Sequence, residues 1–397
     1  MTRTILDVHV LQTVPPSNLN RDDTGSPKSA VYGGVRRSRV SSQAWKRSTR
    51  HAFADLLDAS DLGVRTKRVA ELLAGRITAL RPELTNAEAL VLAAETVHAA
   101  TGSKIEVPKR KAEAAKKSGK EEPAPESSYL MFLSARQLDG LAELAVAGAA
   151  DIKAFLKEKE NKNRARQIAD TRHSVDIALF GRMVADSADI NVDAAAQVAH
   201  AISVHRVENE SDYYTAVDDR NTDAEPGAGM IGTVDFNSAV LYRYAALDVD
   251  RLRDNLGKGL REDEPVTEPT RRAVEAFVHG FIASLPTGKI NTFAHHTLPD
   301  AVIVKIRGAR PISFVSAFER PVTMGQDGGY LLGACERLVE YIPGIEHAYG
   351  VEADATWVLR VGAGTEKLSA LGVELSLPDL ITAVGKAVTD RQGGHEE

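Results

Sequence analysis

Between Lys28 and Arg50 the chain places seven basic side chains and no acidic one, in a protein whose net charge is −6. That pattern suits the binding of a polyanion, which meets only the surface it touches and not the charge of the whole body. Ser41 and Ser42 stand where a helical pattern begins and are N-cap candidates. A helix N-terminus presents unpaired N–H groups and a partial positive charge, so the two hydroxyls with Gln43 and Lys46 make a phosphate cradle. Gln43, Lys46, Arg47 and Arg50 follow helical spacing on one face, opposite Trp45, Thr49, Ala52, Phe53 and Leu56. Upstream, Arg21, Lys28, Arg36, Arg37 and Arg39 add cations. A charge run is usually a solvated face. Here the absence of interspersed acids, the continuity over two turns and the upstream cations favour a bound polyanion.

Catalytic chemistry finds less to work with. His295 and His296 are adjacent, but no HExxH, HxH or carboxylate cluster sits at ligand spacing near them. "GAGTEK" lacks the spacing of a phosphate loop. Asp22 and Asp23 are paired carboxylates on a loop rich in turn formers, where such acids more often shape the turn. The single cysteine, Cys335, forms no thiolate cluster and carries no nucleophile motif. No catalytic residue, metal or cofactor is expected.

The elements that must position the basic stretch follow from periodicity. Hydrophobic residues at 43% and charged residues at 26% are globular values. No stretch nears about 20 apolar residues and no leader pattern opens the chain, so a cytoplasmic protein without membrane attachment is expected. "TILDVHVLQT" alternates as a strand, Gly33 and Gly34 bend the next extended piece, and the helix beginning at Ser41 or Ser42 follows. Residues from about 62 to 199 are helical and alanine-rich, broken near 104–128 by a Lys-, Glu- and Pro-rich stretch expected as a mobile loop. Then come strands at 199–207 and 237–247, a helix at 269–285 and a strand at 300–308. The order βαββαβ, with a long helical insertion, is that of a ferredoxin-like unit, also used by RNA-recognition modules. Between its second and third strands lies an irregular loop carrying Tyr213 and Tyr214, where a short hairpin would be expected. Their rings are either half-buried anchors or platforms for stacking on bases.

Taken together, "LNRDD", "VYGG", "RRSRVSSQAWKR", "VDIALFGRM", "AHAISVHRVENESDYYTAVDD" and "SAVLYRYA", in this order, resemble the CasC family, the backbone subunit of Cascade, the type I-E CRISPR surveillance complex. The resemblance implies an α+β fold shaped as a right hand. Its parts are an RRM-like palm (1–60, 199–206 and 238–397), an inserted helical fingers domain (61–198) and a thumb loop (207–237). It implies a non-catalytic protein that binds the guide RNA (crRNA) as a filament of its own copies, together with other Cascade subunits and target DNA. By the same resemblance Arg21, Lys28, Ser41, Gln43, Lys46 and Arg50 hold guide phosphates. Met183 and the pair Tyr213 and Tyr214 hold a turned-out base, and Lys153 and Lys157 contact target DNA. The competing expectation is a type III-like backbone RNA endonuclease that uses Asp23.

Overall fold

The computed structural model describes residues 3–119, 123–184, 190–217, 228–257, 265 and 267–393. The chain begins with β1 (Ile5–Ser17), β2 (Ser29–Tyr32), β3 (Val35–Val40) and α1 (Ser42–Leu56). It continues through β4 (Gly63–Thr66), α2 (Val69–Leu80), α3 (Asn86–Thr101), β5 (Ile105–Glu106), α4 (Lys109–Ser118), β6 (Glu126–Ser127) and β7 (Met131–Ser134). Helices α5 (Ala135–Ala147), α6 (Ile152–Lys157), α7 (Lys159–Ala169) and α8 (Val175–Phe180) follow. Next come β8 (Ala196–Val198), β9 (Ala201–Ser203), β10 (Glu210–Val217) and β11 (Ala228–Asp248), then α9 (Val249–Leu256), α10 (Thr267–Ala283) and α11 (Ile290–Phe293). The chain ends in β12 (Ala301–Arg307), α12 (Leu331–Tyr349), β13 (Ala355–Arg360), β14 (Val373–Glu374) and α13 (Leu377–Gly393). The architecture is mixed α+β. None of the described helices is long and apolar enough to cross a membrane.

Two compact units result: Met1–Phe53 with Ala196–Val249 and Val274–Glu397, and Ala54–Ala195 with Asp250–Ala273. The first is built on one sheet in the order β14-β13-β12-β1-β11-β9-β3-β2, to which β8 and β10 add by pairing with β11. Every pairing is antiparallel except that of β13 with β14. From Ala239 onward, strand β11 buries both faces. Val240 and Tyr242 join one core with Leu11, Ile303, Phe314 and Leu338, while Ala239 and Leu241 join another with Val14, Val40 and Trp45.

Strand β1 alternates imperfectly because its polar residues are buried too. Asp7 accepts from Arg307 Nε at 2.8 Å, Tyr244 Oη at 2.8 Å and Ile312 N at 3.1 Å, and Arg307 also reaches Glu346, which Lys305 approaches at 3.0 Å. Two cations and two anions thus share one dry cluster. His9 stacks on Phe314 with centroids 4.3 Å apart and shares a 2.9 Å hydrogen bond with the Tyr242 hydroxyl.

The second unit is helical, with a core that includes Leu73 and Ile77 of α2, Leu92 and Val97 of α3, and Leu138 and Leu141 of α5. Capping boxes start two of these helices: Thr85 with Glu88 at α3 and Ser134 with Gln137 at α5. The stretch 104–128, expected as a mobile loop, contains β5, α4 and β6, and residues 120–122 lie outside the described residues. Sequence reading undervalued the Ala/Lys/Glu content of 109–118, which favours helix, and Gly119, whose φ of +64° closes it.

Burial holds several histidines neutral. His9 lies well below the usual imidazole range and His205 below it, each chiefly through burial, and burial followed by the Arg182 charge lowers His173 to about 4. At His205 the Val240 N–H donates to Nε2 at 3.1 Å, so the proton sits on Nδ1 and points to the Arg206 carbonyl at 2.8 Å. A folded-state pKa below the unfolded one gives stability that is complete above about pH 6.5 and drains away as pH falls toward the folded value. For His173 alone the loss reaches up to about 3 kcal/mol at pH 4, at about 1.4 kcal/mol per pKa unit. The unfolding midpoint in urea should therefore drop from pH 7 to pH 5, and His173→Gln should flatten the dependence. A midpoint constant across that range would contradict the neutral assignment.

A candidate nucleic-acid interface

Asn20 assembles the basic site. Its side-chain Oδ1 accepts from Ser41 N at 2.9 Å, and its carbonyl accepts from Lys28 N at 2.9 Å, so the loop bearing Arg21 and Lys28 is tied to the start of α1. Ser41 is the N-cap: its carbonyl accepts from Ala44 N at 2.9 Å and its Oγ from Gln43 N at 3.3 Å. Buried Asn18 secures the far side of the loop, donating to the carbonyls of Gly25 at 2.9 Å and Asp235 at 2.8 Å. Sequence reasoning missed both asparagines. In "SNLNRDD" an asparagine reads as a turn former, and only the fold shows which backbone groups it reaches.

On α1, Trp45, Thr49 and Phe53 are buried, Gln43 and Arg47 are exposed, and Lys46 and Arg50 are half-buried. Lys46 is shifted below the usual lysine range by burial alone. Among the described residues no carboxylate offsets that cost. Arg39 Nη1 lies 3.2 Å from Nδ1 of His200, whose own pKa is lowered by burial and then by the Arg39 and Lys28 charges. His200 thus marks where those two cations converge.

Arg37 does not belong to this surface. It is fully buried and donates to the carbonyls of Tyr32 at 3.1 Å, Ser203 at 3.0 Å, Phe318 at 2.8 Å and Glu319 at 3.1 Å. In a strand its neighbours Arg36 and Ser38 face the other way, and Arg36 is the exposed one. Both turn glycines between β2 and β3 are required: Gly33 and Gly34 have φ of +59° and +77°, and a Cβ on Gly33 would lie 1.6 Å from the Glu319 carbonyl oxygen.

Beneath α1, Arg243 holds the helix in place. Its guanidinium lies 3.8 Å from the centroid of the Trp45 ring and 4.7 Å from that of Phe281, and it donates to Gln12 Oε1 at 2.7 Å and to the Phe281 carbonyl. Burial lowers its pKa to about 9, which leaves it charged at neutral pH. Arg243→Ala should cost about 3–5 kcal/mol of unfolding free energy, through the cavity, the missing stacking and the acceptors left without a donor. Arg243→Lys should not restore it, since an ammonium has neither the plane nor the fork. Denaturant unfolding of the two variants checks this, and a Lys variant as stable as the parent would contradict it.

Residues 207–237, expected as an irregular loop, form a hairpin of β10 with the start of β11, and residues 218–227 lie outside the described residues. The β-forming run "DYYTAV" was hidden by the acids before it. Tyr213 pairs with Thr233 and Tyr214 with Gly232. A Cβ on Gly232 would lie 2.5 Å from Cζ of Tyr214, so that ring covers the glycine. Adjacent strand residues point to opposite faces; the two rings are therefore not one platform. Tyr213 is 61% exposed and Tyr214 42%.

In the second unit, Met183 is 82% exposed and follows Arg182, which is buried and donates to the Ile190 carbonyl at 2.8 Å. Lys153 of α6 lies 3.5 Å from Glu95, and Lys157 is exposed at the end of that helix. Asp22 is committed to its own turn, where Oδ1 accepts from Thr24 N at 2.9 Å, Thr24 Oγ1 at 2.7 Å and Ser26 N at 3.0 Å; these bonds, the Thr24 hydroxyl foremost, hold its carboxyl below the usual range. Asp23 is exposed beside it. His295 is buried with Nε2 3.2 Å from the Pro286 carbonyl, and among the described residues no group of three His, Cys, Asp or Glu side chains is placed to hold a metal ion.

The family model of the CT1975-like proteins matches residues 6–383. No curated protein matches the chain significantly. A solved chain described as "CRISPR RNA-guided surveillance complex, pre-nicking" is similar at 34% identity, over 97% of this chain and 100% of that one, with a TM-score of 0.81. Another, described as "CRISPR RNA-guided surveillance complex", is similar at 32% identity over 96% and 99%, with a TM-score of 0.71. Matched over nearly its whole length by the family model and by both chains, the protein belongs to the CT1975-like family, the CasC family that its motifs resemble.

Proposed function

We propose that this chain is a non-catalytic crRNA-binding backbone subunit of a type I-E surveillance complex, acting in the cytoplasm, whose copies polymerise along the guide and present it for pairing with target DNA. The observation that carries this reading is Lys46, a half-buried cation with no counter-charge among the described residues, on α1, the helix whose cap, Ser41, is tethered through Asn20 to the loop of Arg21 and Lys28. Phosphates supply the missing negative charge. Likeness to chains of RNA-guided surveillance complexes supports it. The strands β12, β1, β11 and β9 lie side by side in that order, the fourth, first, third and second of the βαββαβ series, which supports a ferredoxin-like, RRM-like palm. The second unit is then the fingers and the β10–β11 hairpin the thumb. In this reading Tyr213, the more exposed ring, turns a guide base outward, exposed Met183 is a guide contact of the second unit, and Lys157, with Lys153 drawn toward Glu95, approaches target DNA.

Sequence-independent contacts suit the task, because base pairing reads the target while the protein grips backbone and shape. Measuring the mass of complexes assembled on guides of two spacer lengths tests the filament. Whole additional subunits on the longer guide are expected, and one fixed stoichiometry on both would refute it.

A further inference from the structure

Helix α11 buries none of its residues, yet non-glycine residues with left-handed backbone stand at both of its ends, Lys289 with φ of +53° and Ala294 with +46°. Such strain persists only where the surroundings hold it. Here His295 Nε2 donates to the Pro286 carbonyl at 3.2 Å and closes the segment on itself, and Gln12, which also accepts from Arg243, donates to the Thr297 carbonyl at 2.8 Å. A third clamp is backbone on backbone. Gly288 lies so close to the loop of Arg21 that a Cβ on it would sit 2.3 Å from the Leu19 carbonyl oxygen. Core packing does not explain a helix so fixed and so exposed.

What α11 delivers is a ring. Phe293 meets Phe236 with centroids 5.8 Å apart and planes at 51°. Phe236 is the pivot of β11: the next residue, Asn237, pairs with Ser17 of β1, whereas Phe236 pairs with Glu210, the first residue of β10. Its neighbour Asp235 points to the other face, where its carboxylate accepts from Ser26 Oγ at 2.5 Å and from Ser211 Oγ at 2.7 Å. Two adjacent residues are thus gripped from opposite sides, one by α11 and one by the loop that carries Arg21. Tyr214, four residues beyond Glu210, shares the face of Phe236, so α11 backs the hairpin on that face and leaves the Tyr213 face open.

We propose that Phe293 is a positioning residue: with Ser26 on the opposite face it fixes the angle at which the hairpin leaves the sheet, and so holds Tyr213 at a set distance from the phosphates gripped by the Arg21 loop. This inference rests on the reading of the hairpin as the element that turns guide bases outward. A hairpin free to swing would turn out bases at varying distances from the held phosphates. Regular spacing needs the clamp.

One arm of the test uses no RNA. Cys335 is fully buried, so spin labels attach selectively to Thr215→Cys on the hairpin and Lys386→Cys on α13, both exposed positions. The distance distribution between the labels should widen in Phe293→Ala, widen also in Ser26→Ala, which frees the opposite side, and stay narrow in Phe293→Tyr, which keeps an aromatic ring. In guide-bound protein Phe293→Ala should blur the regular pattern of unstacked bases, and Phe293→Tyr should retain it. The slope of log K for guide against log salt should stay as it was in both, since neither removes a phosphate contact. An unchanged distance distribution in Phe293→Ala and Ser26→Ala overturns the proposal. So does a sharp base pattern in Phe293→Ala, or a salt slope that falls with it, which would make α11 a phosphate-binding element. Failure of the unaltered protein to bind guide RNA would defeat the functional reading separately, because the label distances decide without a guide whether Phe293 fixes the hairpin.

Discussion

Lys46→Ala combined with Arg50→Ala should weaken guide-RNA binding by about 100-fold or more, and equally for guides of any sequence. Each charge-assisted hydrogen bond to phosphate is worth about 1.5 kcal/mol or more, and about 1.4 kcal/mol is a factor of ten. The electrostatic signature is more specific than the affinity. The slope of log K against log salt should fall by roughly 0.7 in magnitude for each single-strand phosphate left without its cation, so by about 1.4 in the double variant. The fold should survive, since α1 packs through Trp45, Thr49 and Phe53. Filter binding at several salt concentrations, beside a thermal melt, separates the cases. An unchanged slope in a folded protein would remove the two residues from the interface.

The second large effect divides the adjacent tyrosines. Tyr213→Ala should abolish the regular pattern of unstacked guide bases and lower guide affinity by the worth of a stacked ring, about 1–3 kcal/mol. Its ring is mostly in solvent, so the unfolding free energy should move by no more than about 0.5 kcal/mol. Tyr214→Ala should do the reverse. It uncovers Gly232 across the hairpin, which costs about 0.2–1 kcal/mol of cross-strand packing, and leaves the pattern of reactive bases intact. Chemical probing of assembled guide for unstacked bases, with a melt of each variant, checks both. Loss of the pattern in Tyr214→Ala alone would exchange the assignments.

The two results depend on parts of the molecule that differ in how far the sequence revealed them. Helix α1 was legible because its apolar stripe and its basic face both repeat at the helical period, and neither needs a distant partner to be recognised. The Gly33–Gly34 bend was legible for the same local reason. Arg37 was misread as part of the charged surface, since a charge count ignores the alternation of a strand; its burial depends on carbonyls at Ser203, Phe318 and Glu319, far along the chain. Asn20 escaped notice because its role lies in a hydrogen bond to Ser41 across 21 residues. The hairpin carrying Tyr213 and Tyr214 was read as loop, for its register is set by β11, a strand of 21 residues of which only the later half has an evident apolar pattern. Which ring is the more exposed follows from the pairing of Tyr214 with Gly232, and no count of aromatic residues contains that pairing.

The central claim is that this protein holds guide RNA, and the nucleic acid that accompanies it through purification tests that claim most directly. The protein should be expressed with its neighbouring complex subunits and a repeat array, purified at moderate salt, and its bound nucleic acid sequenced. The account predicts discrete RNAs of uniform length, each a spacer flanked by repeat sequence, and their loss from the Lys46→Ala, Arg50→Ala protein. Recovery of no RNA, or of a random sample of cellular RNA that the double variant retains in full, would contradict it.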